Sequence, residues 1–239
     1  MSLTAAQPLL RVENLQAWYG ESHILHGVDL SVFAGEVVAL LGRNGAGKTS
    51  TLKSIIGMLR KRTGSVVFDR KETIRFAAEK IAHLGMAYCP EERAIFSSLS
   101  VRENLLLPPA FGRRGMPLEQ IFAVFPNLEA RLSTSQGTKL SGGEQQMLAI
   151  ARLLRAGARF IVLDEPTEGL APVIVNQIAK MIHKLKRDGY TVLLVEQNFH
   201  FASKIADRFY IMEEGRILDG FSVSEIDGKM SDLSDLLGV

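Results

Sequence analysis

The sequence predicts an α/β fold with a mainly parallel sheet, an antiparallel β segment on its N-terminal side and a helical segment inserted between two strands. Three observations predict it. Uninterrupted apolar runs at residues 37–41, 160–163 and 191–195 read as strands buried on both faces, as in a parallel sheet. Residues 9–34 instead alternate apolar and polar positions, as antiparallel strands do. From Ser97 to about Arg155 the apolar spacing is mostly helical and broken by turns.

Composition narrows the function classes. The 239 residues contain no long linker or low-complexity tract, so one domain spanning 1–239 is expected. Within it, a core would take about 9–96 and 156–239, and the helical part about 97–155. Charge is near balance, 28 basic against 26 acidic residues, which gives no reason to expect nucleic acid as a partner. The apolar content of 46% suffices for a core, and its runs are strand-length, too short to span a membrane. The N-terminal residues lack the basic and apolar regions of a secretory signal. Cys89 is the lone cysteine and reads as a buried small residue in Met86-Ala87-Tyr88-Cys89, not as a nucleophile. A cytosolic location is expected.

Taken in order, residues 9–34 should form short antiparallel strands turning near Gly20-Glu21-Ser22. The aromatic Tyr19 before that turn has two readings, packing or a π-face for a flat ring. The buried strand 37–41 runs into Gly42-Arg43-Asn44-Gly45-Ala46-Gly47-Lys48-Thr49-Ser50, and a helix follows to Gly57. Gly-x-x-x-x-Gly-Lys-Thr between a strand and a helix is the phosphate-binding P-loop pattern in its required context. Glycines let backbone N–H groups turn inward around phosphate oxygens, and the helix N-terminus adds positive potential. Lys48 can then reach the β- and γ-phosphates, and the Thr49 hydroxyl can ligate Mg²⁺.

Residues 64–68 and 85–89 read as two more strands with a charged stretch between them. Ser100-Val101-Arg102-Glu103 is a capping box for a helix that Pro108-Pro109 should end, and residues 111–117 form a basic loop. Ser141-Gly142-Gly143-Glu144 is a second capping box, opening a helix from Gln145 to Leu154. Its bare glycines make an anion site with no phosphate of its own in this chain; capping alone accounts for Ser141 and Glu144 but not for the glycine pair.

Strand 160–164 ends in Asp164-Glu165. A helix over 174–185, strand 191–195 ending at Glu196-Gln197, and a hairpin about Glu213-Glu214-Gly215 follow, with short charged helical turns last. In a parallel sheet, ligands bind at the carboxyl ends of the strands, which brings Lys48, Asp164, Glu165 and Gln197 to one edge. Asp164 is placed to hold the Mg²⁺ shell, and Glu165 to orient the attacking water or take its proton. Glutamine at 197 offers an amide donor to phosphate and a carbonyl acceptor to water, without titrating. His200, three residues on, is the competing candidate if a helix begins at 198.

Four stretches together resemble the ATP-binding-cassette family of transporter ATPases. They are the P-loop, Leu140-Ser141-Gly142-Gly143-Glu144-Gln145-Gln146, the carboxylate strand and the segment around Gln197, within a match over roughly residues 9–220. The resemblance implies two cassettes paired head to tail, as a homodimer or a heterodimer. ATP on one P-loop (Gly42, Asn44, Gly45, Ala46, Gly47, Lys48, Thr49, Ser50) would then be covered by Ser141, Gly142 and Gly143 of the other chain. It places Tyr19 at the family's adenine-stacking position. It also implies integral membrane permease subunits and, indirectly, an extracytoplasmic solute-binding protein, with the chain peripheral on the inner face of the cell membrane. Glu91 stands where most members have glutamine, and Gln197 where most have a switch histidine. Those departures, with Glu168-Gly169-Leu170-Ala171-Pro172, look like the ATPases of branched-chain amino-acid importers or of relatives importing urea or short amides. Glu91, at the join of core and helical part, is expected near the nucleotide and as a coupling element, against the plain reading of a solvated charge run. Rivals from other classes are a soluble mechanical ATPase of the same family and a nucleotide-regulated binding module; Glu165 argues against the second.

Overall fold

The computed structural model describes residues 7–107, 115–132 and 139–237. The predicted stop at Pro108-Pro109 and most of the basic loop lie outside the described residues. Among the described residues, ten strands form two sheets. β1 (Leu10–Tyr19), β2 (Ser22–Val32), β4 (Arg62–Phe68) and β5 (Lys71–Glu72) make an antiparallel sheet in the order β2-β1-β4-β5. The second sheet contains β3 (Val37–Leu41), β6 (Met86–Cys89), β7 (Phe160–Asp164), β8 (Thr191–Glu196), β9 (Arg208–Glu213) and β10 (Arg216–Ser222). Its order is β10-β9-β3-β8-β7-β6, parallel throughout except for the β9–β10 hairpin.

Every residue of β3, β7 and β8 is buried, because both faces of the central sheet are covered. Alternation along the strands divides them between two cores. Val37, Ala39, Leu41, Ile161, Leu163, Val192 and Leu194 face one core with the helices. Val38, Leu40, Phe160, Val162, Leu193 and Val195 face the other, shared with the antiparallel sheet and α1 (Lys48–Ile55).

Between β6 and β7 the chain forms α3 (Val101–Leu106), α4 (Leu118–Val124), α5 (Pro126–Glu129) and α6 (Gly142–Ala156). Both predicted capping boxes are present, at Ser100/Glu103 and Ser141/Glu144. Leu105, Ile121, Phe125 and Leu148 of these helices share one continuous core with Ile161 and Leu163. The helical segment is therefore set apart by chain order, not by a core of its own. α7 (Pro172–Arg187) and α8 (Phe199–Ile205) complete that layer.

Several expectations are corrected. The strands of 9–34 are long, ten and eleven residues, and carry register shifts that bend the ribbon. The charged stretch between β4 and β6 contains β5 and a helix, α2 (Ala78–His83), too short to show a period in sequence. The helix behind the second capping box, α6, starts at Gly142, three residues before the predicted Gln145, since its glycines already adopt helical geometry behind the Ser141 cap. The terminal turns form one helix, α9 (Ile226–Leu237). Cys89 is buried and its thiol is pushed up to about 12 by burial, consistent with a packing role.

Candidate active site

β3 ends at Leu41 and the loop 42–47 carries the chain into α1. Two of its glycines are required by geometry. A side chain at Gly42 would strike the Met212 carbonyl oxygen of β9 at 2.3 Å, and Gly47 holds φ 105° at the helix N-cap. With no side-chain cap on α1, its first N–H groups remain free to meet an anion.

Lys48 is only 4% exposed. Its ammonium donates to the carbonyls of Gly42 (2.8 Å) and Arg43 (3.1 Å) and pairs with Glu165 Oε1 at 3.2 Å. The next residue, Thr49, donates its hydroxyl to Asp164 Oδ1 at 2.9 Å, while Tyr88 donates to Oδ2 at 2.6 Å. Burial pushes the Asp164 carboxyl up and these two hydrogen bonds pull it back; the Tyr88 hydroxyl is itself pushed up by burial and by Asp164.

Glu165 sits at φ 44°, a left-handed conformation that costs a non-glycine residue roughly 1 kcal/mol or more. Its N–H donates to Val195 O at 3.0 Å, so the strained turn lies against the end of β8. Gln197 Nε2 donates to Glu165 Oε2 at 2.7 Å. The sheet order therefore brings together two adjacent sets of side chains far apart in sequence, Lys48–Glu165–Gln197 and Thr49–Asp164–Tyr88.

Of these, Lys48, Thr49, Glu165 and Gln197 line a groove of about 250 Å³ together with Asn44, Gly45, Gly47, Ser50 and Glu91, while Asp164 is reached through Thr49. Ile24 of β2 and Glu168 also line it, and the sequence did not single out either for this site. Ala46 lines a neighbouring groove with Asn44, Gly45 and Met212. The Glu91 carboxyl is raised by burial and by the nearby Glu165, Glu92, Asp164 and Glu168.

Other candidates lie elsewhere. Tyr19 is 46% exposed at the end of β1 and lines neither groove. His200 is exposed on α8 and lines a separate groove with Thr167, Asn198 and Lys204, so it does not share the side of Gln197. Ser141, Gly142 and Gly143 stand at the start of α6, outside the phosphate groove. Packing gives one of the two glycines a reason that capping does not: a Cβ on Gly143 would lie 2.5 Å from Ile174 Cγ2 of α7. Gly142 has the Arg93 guanidinium and Leu170 beside it.

Tyr88 joins the site as a partner of Asp164 that no motif marks; its trace in the sequence is a polar-tipped aromatic one residue from the end of a strand adjacent to β7. Among the described residues no group of three His, Cys, Asp or Glu side chains is arranged to hold a metal. The Thr49 hydroxyl beside the Asp164 carboxylate nevertheless fits Mg²⁺, a hard cation bound through one or two protein oxygens and substrate phosphates.

Comparison with known proteins agrees with this geometry. The ABC transporter family model matches residues 25–168. The chain is 40% identical over 213 residues to the high-affinity branched-chain amino acid transport ATP-binding protein BraG of Pseudomonas aeruginosa, covering 88% of this chain and 91% of the relative. Identity is 37% over 222 residues, 91% and 94% of the two chains, with a probable branched-chain amino acid transport ATP-binding protein LivF of Archaeoglobus fulgidus. It is 34% over 224 residues, 91% and 92%, with the lipopolysaccharide export system ATP-binding protein LptB of Escherichia coli. Among solved structures, a nucleotide-free ATP-binding cassette from an ABC transporter superposes with TM-score 0.83 at 27% identity, covering 98% and 99% of the chains. A dimeric cassette bound to ADP and inorganic phosphate gives 0.78 at 26%, covering 90% and 98%. With a P-loop, an Asp-Glu pair and a sheet edge that gathers them, and with likeness along nearly its whole length, the chain belongs to the ABC transporter family as one of its ATP-hydrolysing cassettes.

Proposed function

We propose that this cassette energises the import of branched-chain or related amino acids. For hydrolysis the reading rests on the Lys48–Glu165–Gln197 contacts beside the phosphate groove. For the solute it rests on identities of 40% and 37% to branched-chain amino acid transport proteins. A second reading, an export ATPase, draws on the 34% identity to the lipopolysaccharide protein. Urea or short-amide import and a soluble role within the family stand behind both.

The substrate is ATP. Its phosphates would lie on the loop from Gly42 to Ser50, with Thr49 and Asp164 holding Mg²⁺, which when bound would neutralise charge on the β- and γ-phosphates. Lys48 uses its three donors on Gly42, Arg43 and Glu165, so meeting a phosphate means exchanging at least one of them. Exchange of the Glu165 contact frees Oε1 to take a proton from water as that water attacks the γ-phosphorus and the bond to ADP breaks. Gln197 keeps Oε2 fixed meanwhile. Glu165, Asp164 and Glu91 make the groove strongly acidic, so the cations serve to admit a polyanion.

Two such chains would pair head to tail, with Ser141 and Gly143 of one closing the groove of the other under integral membrane permease subunits. A solute-binding protein would act indirectly and nucleic acid has no part. No helix among the described residues is long and apolar enough to cross a membrane, which fits a peripheral place on the cytoplasmic face. Glu91 would transmit the state of the groove to the permease.

The test of hydrolysis is Glu165→Gln. It should keep ATP affinity while lowering turnover at least about a hundredfold, the scale of a lost general base. Near-normal turnover would remove Glu165 from that role. Uptake of labelled leucine by cells carrying the chain with its co-purifying permease, set against lipid-export phenotypes, decides between the two solutes.

A further inference from the structure

Glu196 closes β8 and is 3% exposed. Among the described residues no cation forms an ion pair with it. An unpaired carboxylate at this depth is costly, and burial, aided by Glu165, pushes it up to about 7. What holds it is a set of donors. Oε1 accepts from the Thr167 hydroxyl at 2.7 Å and from the Thr167 N–H at 3.3 Å, and Oε2 accepts from the Asn198 N–H at 3.4 Å.

Those donors belong to the two segments that carry the proposed hydrolytic pair. Thr167 lies two residues past Glu165, in a turn closed by the Glu168 N–H on Glu165 O at 3.2 Å. Asn198 follows Gln197 and caps α8. One backbone hydrogen bond, Glu165 N to Val195 O, already fixes the start of the turn on β8. The Glu196 side chain makes the second attachment. Two attachments set the angle of a turn where one leaves it free to pivot, and Glu165 in its left-handed conformation has no regular secondary structure to orient it.

We infer that Glu196 and Thr167 form a latch that positions Glu165 against Gln197, a role that deepens the hydrolysis reading above and rests on it. Neither residue lines the phosphate groove, so neither touches substrate; both act through the geometry of their neighbours. A hydrophobic residue at 196 would be cheaper to bury, but it could not bind both segments. Glutamine could keep the Thr167 contact yet would turn an N–H₂ group toward a backbone donor at Asn198 or Thr167.

The experiment measures kcat and KM for ATP in Thr167→Val, Thr167→Ser and Glu196→Gln, with a crystal structure of the valine variant. Valine keeps the shape of threonine and removes only the hydroxyl. Thr167→Val and Glu196→Gln should each lower kcat about tenfold with KM within about twofold, because small misplacement of a reacting group is felt in turnover. Thr167→Ser should restore wild-type kcat. In the crystal, the Gln197–Glu165 contact of 2.7 Å should lengthen beyond hydrogen-bond reach. Wild-type kcat in the valine variant, an equal loss in serine and valine, or a loss confined to KM would overturn the latch. The structural readout is independent of turnover: if the wild-type protein hydrolysed no ATP, the hydrolysis reading would fall, and an unchanged contact in Thr167→Val would separately overturn the positioning role.

Discussion

Gln197 makes its strongest contact with the carboxylate proposed as base, 2.7 Å from Oε2. An amide in that place donates without ever changing charge, whereas histidine would titrate near neutral pH. His200 opens onto the groove with Thr167 and Lys204, away from Lys48 and Glu165. Gln197→Ala should therefore lower ATP turnover by one to two orders of magnitude, roughly the weight of an orienting group, with nucleotide binding little changed. Gln197→His should retain much of the activity, and His200→Ala should match wild type. A silent Gln197→Ala beside an inactive, folded His200→Ala would reverse the assignment. At this scale, residues whose motif fixes their chemistry were legible: Lys48, Thr49, Asp164 and Glu165. Tyr88, Ile24 and Glu168 were not, because each reaches the site through a strand neighbour or a turn that no sequence spacing encodes.

α6 meets α7 where Gly143 faces Ile174. The close approach gives Gly143 a reason to be glycine besides any phosphate, and the two reasons separate by mutation. Gly143→Ala puts a methyl 2.5 Å from Ile174 Cγ2, and overpacking of that kind costs about 1–3 kcal/mol. Gly143→Ala/Ile174→Ala removes the obstructing atoms, so its loss of stability by denaturant unfolding should be smaller than the sum of the two single losses. If Gly143 also binds phosphate across a dimer, the double variant should stay impaired in turnover; full recovery of activity would leave packing as its whole role. Elements, like residues, were unequally readable. β3, β7 and β8 stood out because burial on both faces writes an apolar run. α3 and α6 stood out because their caps are spelled in sequence. β5, with two residues, and α2, with six, are imposed by pairing with β4 and packing on the core, and leave no periodic trace.

The whole molecule presents a groove lined by the P-loop at one edge of the sheet and, apart from it, the capped N-terminus of α6. Ser141 Oγ accepts from the Glu144 N–H at 3.3 Å, and its hydroxyl donates to the Glu144 carboxylate, a bond it would exchange on meeting a phosphate. Among the described residues of one chain, the P-loop groove does not include Ser141. A second copy, paired head to tail as proposed above, would bring the two half-sites together, and the solved dimeric cassette at TM-score 0.78 has a comparable fold. The consequence is a complementation test. Lys48→Ala disables the P-loop half of a site and keeps the Ser141 half intact; Ser141→Arg does the reverse. Each variant alone builds only defective sites. Mixed dimers contain one site with both halves intact and one with neither, so mixing two nearly inactive preparations should raise ATPase activity above either, passing through a maximum near equal amounts. Because half of a random mixture is heterodimer and each carries one good site, the maximum should reach about a quarter of wild-type activity if the sites act independently. Activity that never exceeds the better variant, over a range of ratios and with dimers confirmed by sedimentation, would mean that Ser141 does not complete a partner's site.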